Sequence, residues 1–253
     1  MKKQAPFVIA NWKLNGGIDL TCTSVASMLN RKFEARIGIA PPYVYIGDMV
    51  SFLRNSDIMV GSQNVSKFAS GAFTGETSAQ MLSEVGCQFC LIGHSERRQV
   101  FLENDNSCHT KMEKALDNNL IPVLCVGENL QQYELGLTND ILYRQLHQSL
   151  PDLNLEGKEL CIAYEPVWAI GTGKAATADQ VQKVHSFIYQ ELVEILGTER
   201  ANKVHILYGG SVNKDNVEEL LSTPHVDGVL VGGASLDPEH FAEICALANK
   251  SAQ

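Results

Sequence analysis

Glu165, His94, Lys13 and Asn11 are the polar side chains whose types and positions suit acid–base and electrostatic chemistry. Glu165 sits between the apolar run Leu160-Cys161-Ile162-Ala163 and Pro166. A proline forces the preceding residue into extended backbone, which keeps this carboxylate at a strand's rim. Partial burial there is expected to raise its pKa toward that of a useful general base. His94 precedes Ser95-Glu96-Arg97-Arg98, which reads as the opening of a short helix. The positive end of a helix disfavours imidazolium, so a neutral, hydrogen-bond-donating ring is expected. Lys13 follows Trp12 just beyond another apolar run and is expected to point along the mouth of the fold. Taken singly, each has a plainer reading: a surface carboxylate in a salt bridge, a structural histidine, a solvated lysine.

Two glycine pairs add a second kind of chemistry. Gly209-Gly210, before Ser211, and Gly232-Gly233 each let backbone N–H groups approach an anion closely. One such pair alone would be read as a tight turn, but two at the expected loops read as a phosphate cradle. Gly233-Ala234-Ser235-Leu236 then suits a short extra helix aimed at the phosphate. The stretch from Pro166 to Ala176 is too Gly-rich for a helix and follows the candidate base directly. It reads as a lid with small residues as hinges, its apolar tip Val167-Trp168-Ala169-Ile170 otherwise left in water.

Such groups meet only if the elements between them bring strand ends together. Eight short apolar runs recur, at 7–10, 36–40, 58–61, 89–93, 121–126, 160–163, 204–208 and 228–231. Each is nearly continuous rather than alternating, as parallel strands covered on both faces require. Amphipathic helical stretches separate them. Thr177-Ala178-Asp179-Gln180 is a capping box, after which Val181, Val184, Ile188, Leu192 and Ile195 share one face until Gly197. Asp237-Pro238 opens the last helix. Eight strand–helix units predict an α/β fold, a closed (β/α)₈ barrel, as one domain over residues 1–253. The rival, an open doubly wound sheet, lacks its G-x-G-x-x-G after the first strand. In such barrels chemistry gathers at the carboxyl ends of the strands, where all the groups above fall.

Composition narrows the function. The chain has 253 residues, 45% hydrophobic and 19% charged, with a formal net charge of −9 and no basic run. A nucleic-acid partner is therefore not expected. An anionic substrate meets a long-range repulsion that salt confines to roughly 8 Å, so its site must supply local positive potential. Asn11, Trp12 and Lys13 end the first apolar run after four residues, too short for a signal sequence, and no stretch is long enough to span a bilayer. A soluble, cytoplasmic protein is expected. Seven cysteines, including a lone Cys87-x-x-Cys90 and no partner histidine motif, read as buried reduced thiols rather than zinc or redox chemistry.

Along its full length the chain resembles the triosephosphate isomerases. The resemblance rests on Ala10-Asn11-Trp12-Lys13, Gly61-Ser62-Gln63-Asn64-Val65, Gly71-Ala72-Phe73-Thr74-Gly75-Glu76 and Gly93-His94-Ser95-Glu96-Arg97-Arg98. It continues through 163–174, Tyr208-Gly209-Gly210-Ser211-Val212 and Val231-Gly232-Gly233-Ala234. It implies interconversion of dihydroxyacetone phosphate and D-glyceraldehyde 3-phosphate, without metal or organic cofactor. By the same resemblance Glu165 moves the proton between neighbouring carbons and a neutral His94 polarises the carbonyl, an arrangement already known for that family. Asn11 and Lys13 stabilise the oxyanion, with Glu96 beside Lys13. Gly171, Ser211, Gly232 and Gly233 grip the phosphate. Tyr208 and Ser211 hold a lid, hinged at Pro166 and 174–176, against Ala176 and Gly173. Cys125 packs near the base. Thr74 lies on a loop that enters a second subunit, implying a homodimer. Another phosphate-binding barrel explains the glycine pairs but not the four polar side chains together, and no strand carries a Schiff-base lysine. A non-catalytic sugar-phosphate-binding scaffold is expected to have lost Glu165, His94 or Lys13.

Overall fold

The computed structural model describes residues 5–169 and 176–249. Its strands are β1 (Phe7–Asn11), β2 (Arg36–Ala40), β3 (Met59–Ser62), β4 (Phe89–Ile92), β5 (Ile121–Val126), β6 (Cys161–Tyr164), β7 (His205–Tyr208) and β8 (Gly228–Val231). Each pairs in parallel with the next, and β8 pairs with β1 to close the barrel. The eight apolar runs become the eight strands, with ends shifted by at most one residue. Helices cover the outside.

The absence of alternation in the strands follows from this closure. Phe7, Ile9, Phe89, Leu91, Val123, Cys125, Cys161, Ala163, Leu207 and Leu230 point into the barrel and pack on one another. The intervening residues, such as Val8, Ala10, Ile37, Ile39, Leu124 and Ile206, point outward against the helices. Both faces are therefore apolar. The barrel floor is filled by two rings, Phe7 and Phe89, edge to face with centroids 6.0 Å apart. Phe89 occupies space that a side chain on β3 would need: a Cβ on Gly61 would lie 2.4 Å from its ring.

The helical signals also hold. Thr177 and Gln180 form the reciprocal capping box, and the helix runs Ala178–Leu196 to Gly197 at φ 78°. The Asp237 side chain accepts from the N–H groups of Glu239 and His240 at the start of Pro238–Ala248. Two expectations need correction. Six cysteines are buried, but Cys22 is exposed on the first helix. The segment after Glu165 is not all loop: Val167–Ala169 forms a 3₁₀ turn with Ala169 fully buried. Trp168 stacks on Tyr133 at 4.4 Å and donates its indole N–H to Glu128 at 2.9 Å, so its apolar surface finds protein rather than water.

One buried histidine lies between barrel and helix layer. His185 is fully buried beside the rings of Tyr164 and Tyr208, and its Nδ1 lies 2.9 Å from the carbonyl of His225. Burial lowers its pKa to about 4 from 6.5. The neutral ring is thus the folded form, so its contribution is complete above pH 6.5 and is lost as pH falls toward 4. The shift corresponds to about 3 kcal/mol. Denaturant titrations at pH 6.5 and 4 are expected to differ by about that amount more in the wild type than in His185→Gln. Equal differences in the two proteins would assign the acid sensitivity elsewhere.

Candidate active site

The carboxyl ends of β1, β4, β6, β7 and β8 open on a cavity of about 440 Å³. Asn11, Lys13, His94, Glu165, Ser211, Gly232 and Gly233 all line it. Gly171, expected among them, lies outside the described residues, as do Thr172, Gly173 and Lys174 of the proposed lid.

Glu165 is the residue after β6. Its N–H continues the ladder to the carbonyl of Val126 at 2.8 Å. Its backbone is approached so closely by Gly127 that a Cβ there would lie 1.9 Å from the Glu165 carbonyl oxygen. A Cβ on Gly209 would stand 3.1 Å from the Glu165 Cγ. The side chain is 2% exposed rather than partly buried. Oε1 lies 2.9 Å from Nε2 of His94, and Oε2 accepts the Ser95 N–H at 2.8 Å. Burial alone would raise this carboxyl's pKa. His94, the Ser95 amide and Lys13 outweigh it and hold the group below its ordinary value, contrary to the sequence expectation.

His94 is the N-cap of the helix Ser95–Val100. Its Nδ1 accepts the Glu96 N–H at 3.3 Å, leaving Nε2 to carry the proton that faces Glu165. That is a neutral tautomer, fixed by the helix start. Burial works against imidazolium, but the Glu165 carboxylate prevails and lifts the ring's pKa above its usual value. The cap and the carboxylate therefore pull in opposite directions, and the helix end alone does not decide the ring's charge.

Lys13 occupies the left-handed region at φ 53°, uncommon without glycine. Three hydrogen bonds tie down this turn. Asn11 Oδ1 accepts the Lys13 N–H at 3.1 Å, and the Gln63 amide donates to the carbonyls of Lys13 and Ala40, both at 2.9 Å. The ammonium lies 2.7 Å from Glu96, whose side chain is half exposed. Across the cavity, Gly233–Leu236 forms the expected short helical turn, and the Ser235 hydroxyl donates to the Gly232 carbonyl at 2.7 Å.

Of the supporting residues, Tyr208 Oη accepts the Ala176 N–H at 3.4 Å, and Gly210 lacks the Cβ that would meet that hydroxyl at 2.2 Å. Pro166 accepts the Ala169 N–H at 2.7 Å, closing the 3₁₀ turn. Cys125 is buried inside the barrel, where burial and the nearby Glu165 push its thiol well above the usual range, so it is no nucleophile. Thr74 does not line the cavity; it is exposed on the loop between β3 and β4.

Sequence reading missed Gly127 and Glu128, although the rule of reading beyond each strand end reaches them after β5. Glu128 is fully buried and accepts from Tyr164 and Trp168, and burial raises its pKa. The main-chain N–H of Ser95 was missed because a backbone group has no sequence signature.

Comparison with known proteins finds relatives along nearly the whole chain. The family model described as triosephosphate isomerase matches residues 6–248. The triosephosphate isomerase of Nitrosococcus oceani is 43% identical over 249 residues, covering 97% of this chain and 99% of its own. That of Legionella pneumophila is 42% identical, covering 96% and 98%. The crystal structure of triosephosphate isomerase from Bartonella henselae superposes with a TM-score of 0.87 at 37% identity, covering 96% of this chain and 98% of that one. On the family match over residues 6–248, these relatives and the shared barrel, the chain belongs to the triosephosphate isomerase family.

Proposed function

We propose that the protein interconverts dihydroxyacetone phosphate and D-glyceraldehyde 3-phosphate through an enediolate, with Glu165 as base and His94 as electrophile. The observation that carries this reading is the buried pair itself: a carboxylate 2.9 Å from Nε2 of a backbone-capped imidazole, at the wall of a cavity that also holds Lys13. A triose carbonyl lying between the two would take the Nε2 proton as a hydrogen bond, while Glu165 removes a proton from the adjacent carbon and returns it to its neighbour. Separating the pair removes the largest influence opposing burial at Glu165, so the base strengthens as substrate enters. Lys13 and the Asn11 amide face the developing oxyanion, where preorganised charge acts most strongly. Backbone N–H groups of Gly171, Ser211, Gly232 and Gly233 would hold the phosphate. Residues 166–176 would close over it, with Tyr208 anchoring Ala176 and Ser211 reaching Gly173. This chemistry requires no metal or organic cofactor.

We also propose that residues 1–253 act as one barrel domain, that the protein is cytoplasmic and that it works as a homodimer. Support for the dimer comes from apolar side chains left exposed in the segments after β2 and β4: Val44 is 77% exposed, Phe101 65% and Leu102 82%. A contact with a second subunit would remove that surface from water.

Shortening the base, Glu165→Asp, withdraws the carboxylate by about 1 Å and should lower kcat roughly 10²-fold with KM little changed. Near-wild-type turnover in a coupled assay would remove Glu165 from its role. Nitrogen-15 NMR of the His94 ring tests the pair: Glu165→Gln is expected to lower the ring's midpoint, because the carboxylate is what raises it. An unmoved midpoint would mean that the two groups are not coupled. Thr74→Arg would place an unpaired charge in the subunit contact, costing several kcal/mol. Sedimentation should then report monomer with a large loss of activity, and a monomeric wild type would refute the dimer.

A further inference from the structure

Glu165 is the wall between two cavities. On one side lies the site; on the other lies a polar cavity of about 610 Å³, which Gly127, Gln145, Arg98 and Asp105 also line. What fixes the Glu165 main chain is the turn after β5. Val126 accepts the Glu165 N–H at 2.8 Å, and Gly127 stands against the Glu165 backbone, a Cβ there falling 1.9 Å from its carbonyl oxygen and 2.8 Å from its carbonyl carbon. Displacing Gly127 toward Glu165 therefore moves the base, and displacing it away leaves the base unsupported.

Gly127 lies one residue past the end of β5, and a single side chain takes both of its main-chain groups. Gln145, 3% exposed on the helix Thr138–Ser149, accepts the Gly127 N–H at 2.8 Å and donates to the Gly127 carbonyl at 3.2 Å. We infer that Gln145 is a positioning residue for the reaction: its amide clamps Gly127, and Gly127 sets where Glu165 stands. The inference rests on the proposed reading of Glu165 as the base. Gln145 does not line the cavity of the site. It acts through distance alone, and distance matters because a misplacement of about 1 Å can cost roughly 10²-fold in rate.

Gln145→Met keeps the length of the side chain and removes both hydrogen bonds. In the full-length enzyme kcat should fall about tenfold while KM changes less than about twofold, since the phosphate contacts are untouched. The same substitution made in Glu165→Asp, where the carboxylate is already withdrawn, should cost less than about twofold more; residues that act through one another are not additive. An equal loss in both backgrounds, or a lowered melting temperature with unchanged kcat, would make Gln145 merely structural and overturn the inference. A slow Glu165→Asp beside a fast Gln145→Met would sink the clamp and leave the base standing. A fast Glu165→Asp would remove the base, and the clamp with it. If Gln145→Met fails to accumulate as folded protein, Gln145→Glu serves in its place. It keeps the acceptor for the Gly127 N–H but loses the donor to its carbonyl, so kcat should fall about threefold in the wild-type background and less than about twofold with Glu165→Asp, and an unchanged kcat would overturn the inference.

Discussion

A carboxylate that is 2% exposed needs partners, and most of this site can be understood as the set of partners that Glu165 requires. An ion buried without compensation costs several kcal/mol and ordinarily protonates instead. Glu165 avoids this through the His94 ring, the Ser95 amide and the field of Lys13. None of them is near it in sequence: two come from the end of β4 and one from beyond β1. Closure of the barrel is what makes them neighbours, since β5 separates β4 from β6 by one strand's width and β8 joins β7 to β1. The site is thus a consequence of the topology: strand order sets β4 two strands from β6, and closure through β8 brings Lys13 from beyond β1.

The turns at the strand ends carry strain that the rest of the barrel offsets. A residue such as Lys13 in the left-handed region costs on the order of 1–3 kcal/mol. The two hydrogen bonds on the Lys13 main chain, one accepted by Asn11 and one donated by Gln63, contribute about 0.5–1.5 kcal/mol each, comparable with that cost, and hold the turn that carries the ammonium. That placement also answers the difficulty posed by a net charge of −9. Screening damps acidic groups farther away than about 8 Å, leaving Lys13 and the strand-end amides to set the potential inside the cavity. At the opposite end Phe7 and Phe89 fill the floor with apolar surface and no polar group to satisfy. Stability concentrates at the floor and chemistry at the mouth.

The parts legible in the sequence are those that one segment specifies by itself. Continuous apolar runs gave the strands because both faces of a closed barrel are covered, and Thr177, Gln180 and Asp237 marked helix starts because caps are local chemistry. Asn11, Lys13, His94 and Glu165 were visible because strand ends gather in one place. The charge state of Glu165 was not visible: its burial reads from β6, but the groups that override burial belong to other strands. Trp168 was misjudged for a similar reason. Its partners, Tyr133 and Glu128, follow β5, so the sequence of residues 166–176 alone suggested an apolar tip in water. Gln145 could not be singled out, since a glutamine within an amphipathic helix carries no sign that it faces the backbone of another element.

The pairing that stabilises the resting site also opposes the chemistry proposed for it, and this tension is informative. His94 holds Glu165 below its ordinary pKa, which makes it a weak base, while Glu165 raises the ring's affinity for a proton. Both effects depend on a contact of 2.9 Å. A ligand that enters between the two groups weakens both at once. Burial is then opposed only by the Ser95 amide and Lys13, so the carboxyl's pKa rises, and the Glu96 amide on Nδ1 keeps the ring in its neutral tautomer. Base and electrophile would be brought toward working strength by the same displacement, without any change in the barrel. Such a site can keep a buried carboxylate ionised between turnovers and still present a competent base during one. It also explains why the backbone beneath Glu165 must be firm: a pair tuned by one short contact tolerates little drift in either partner.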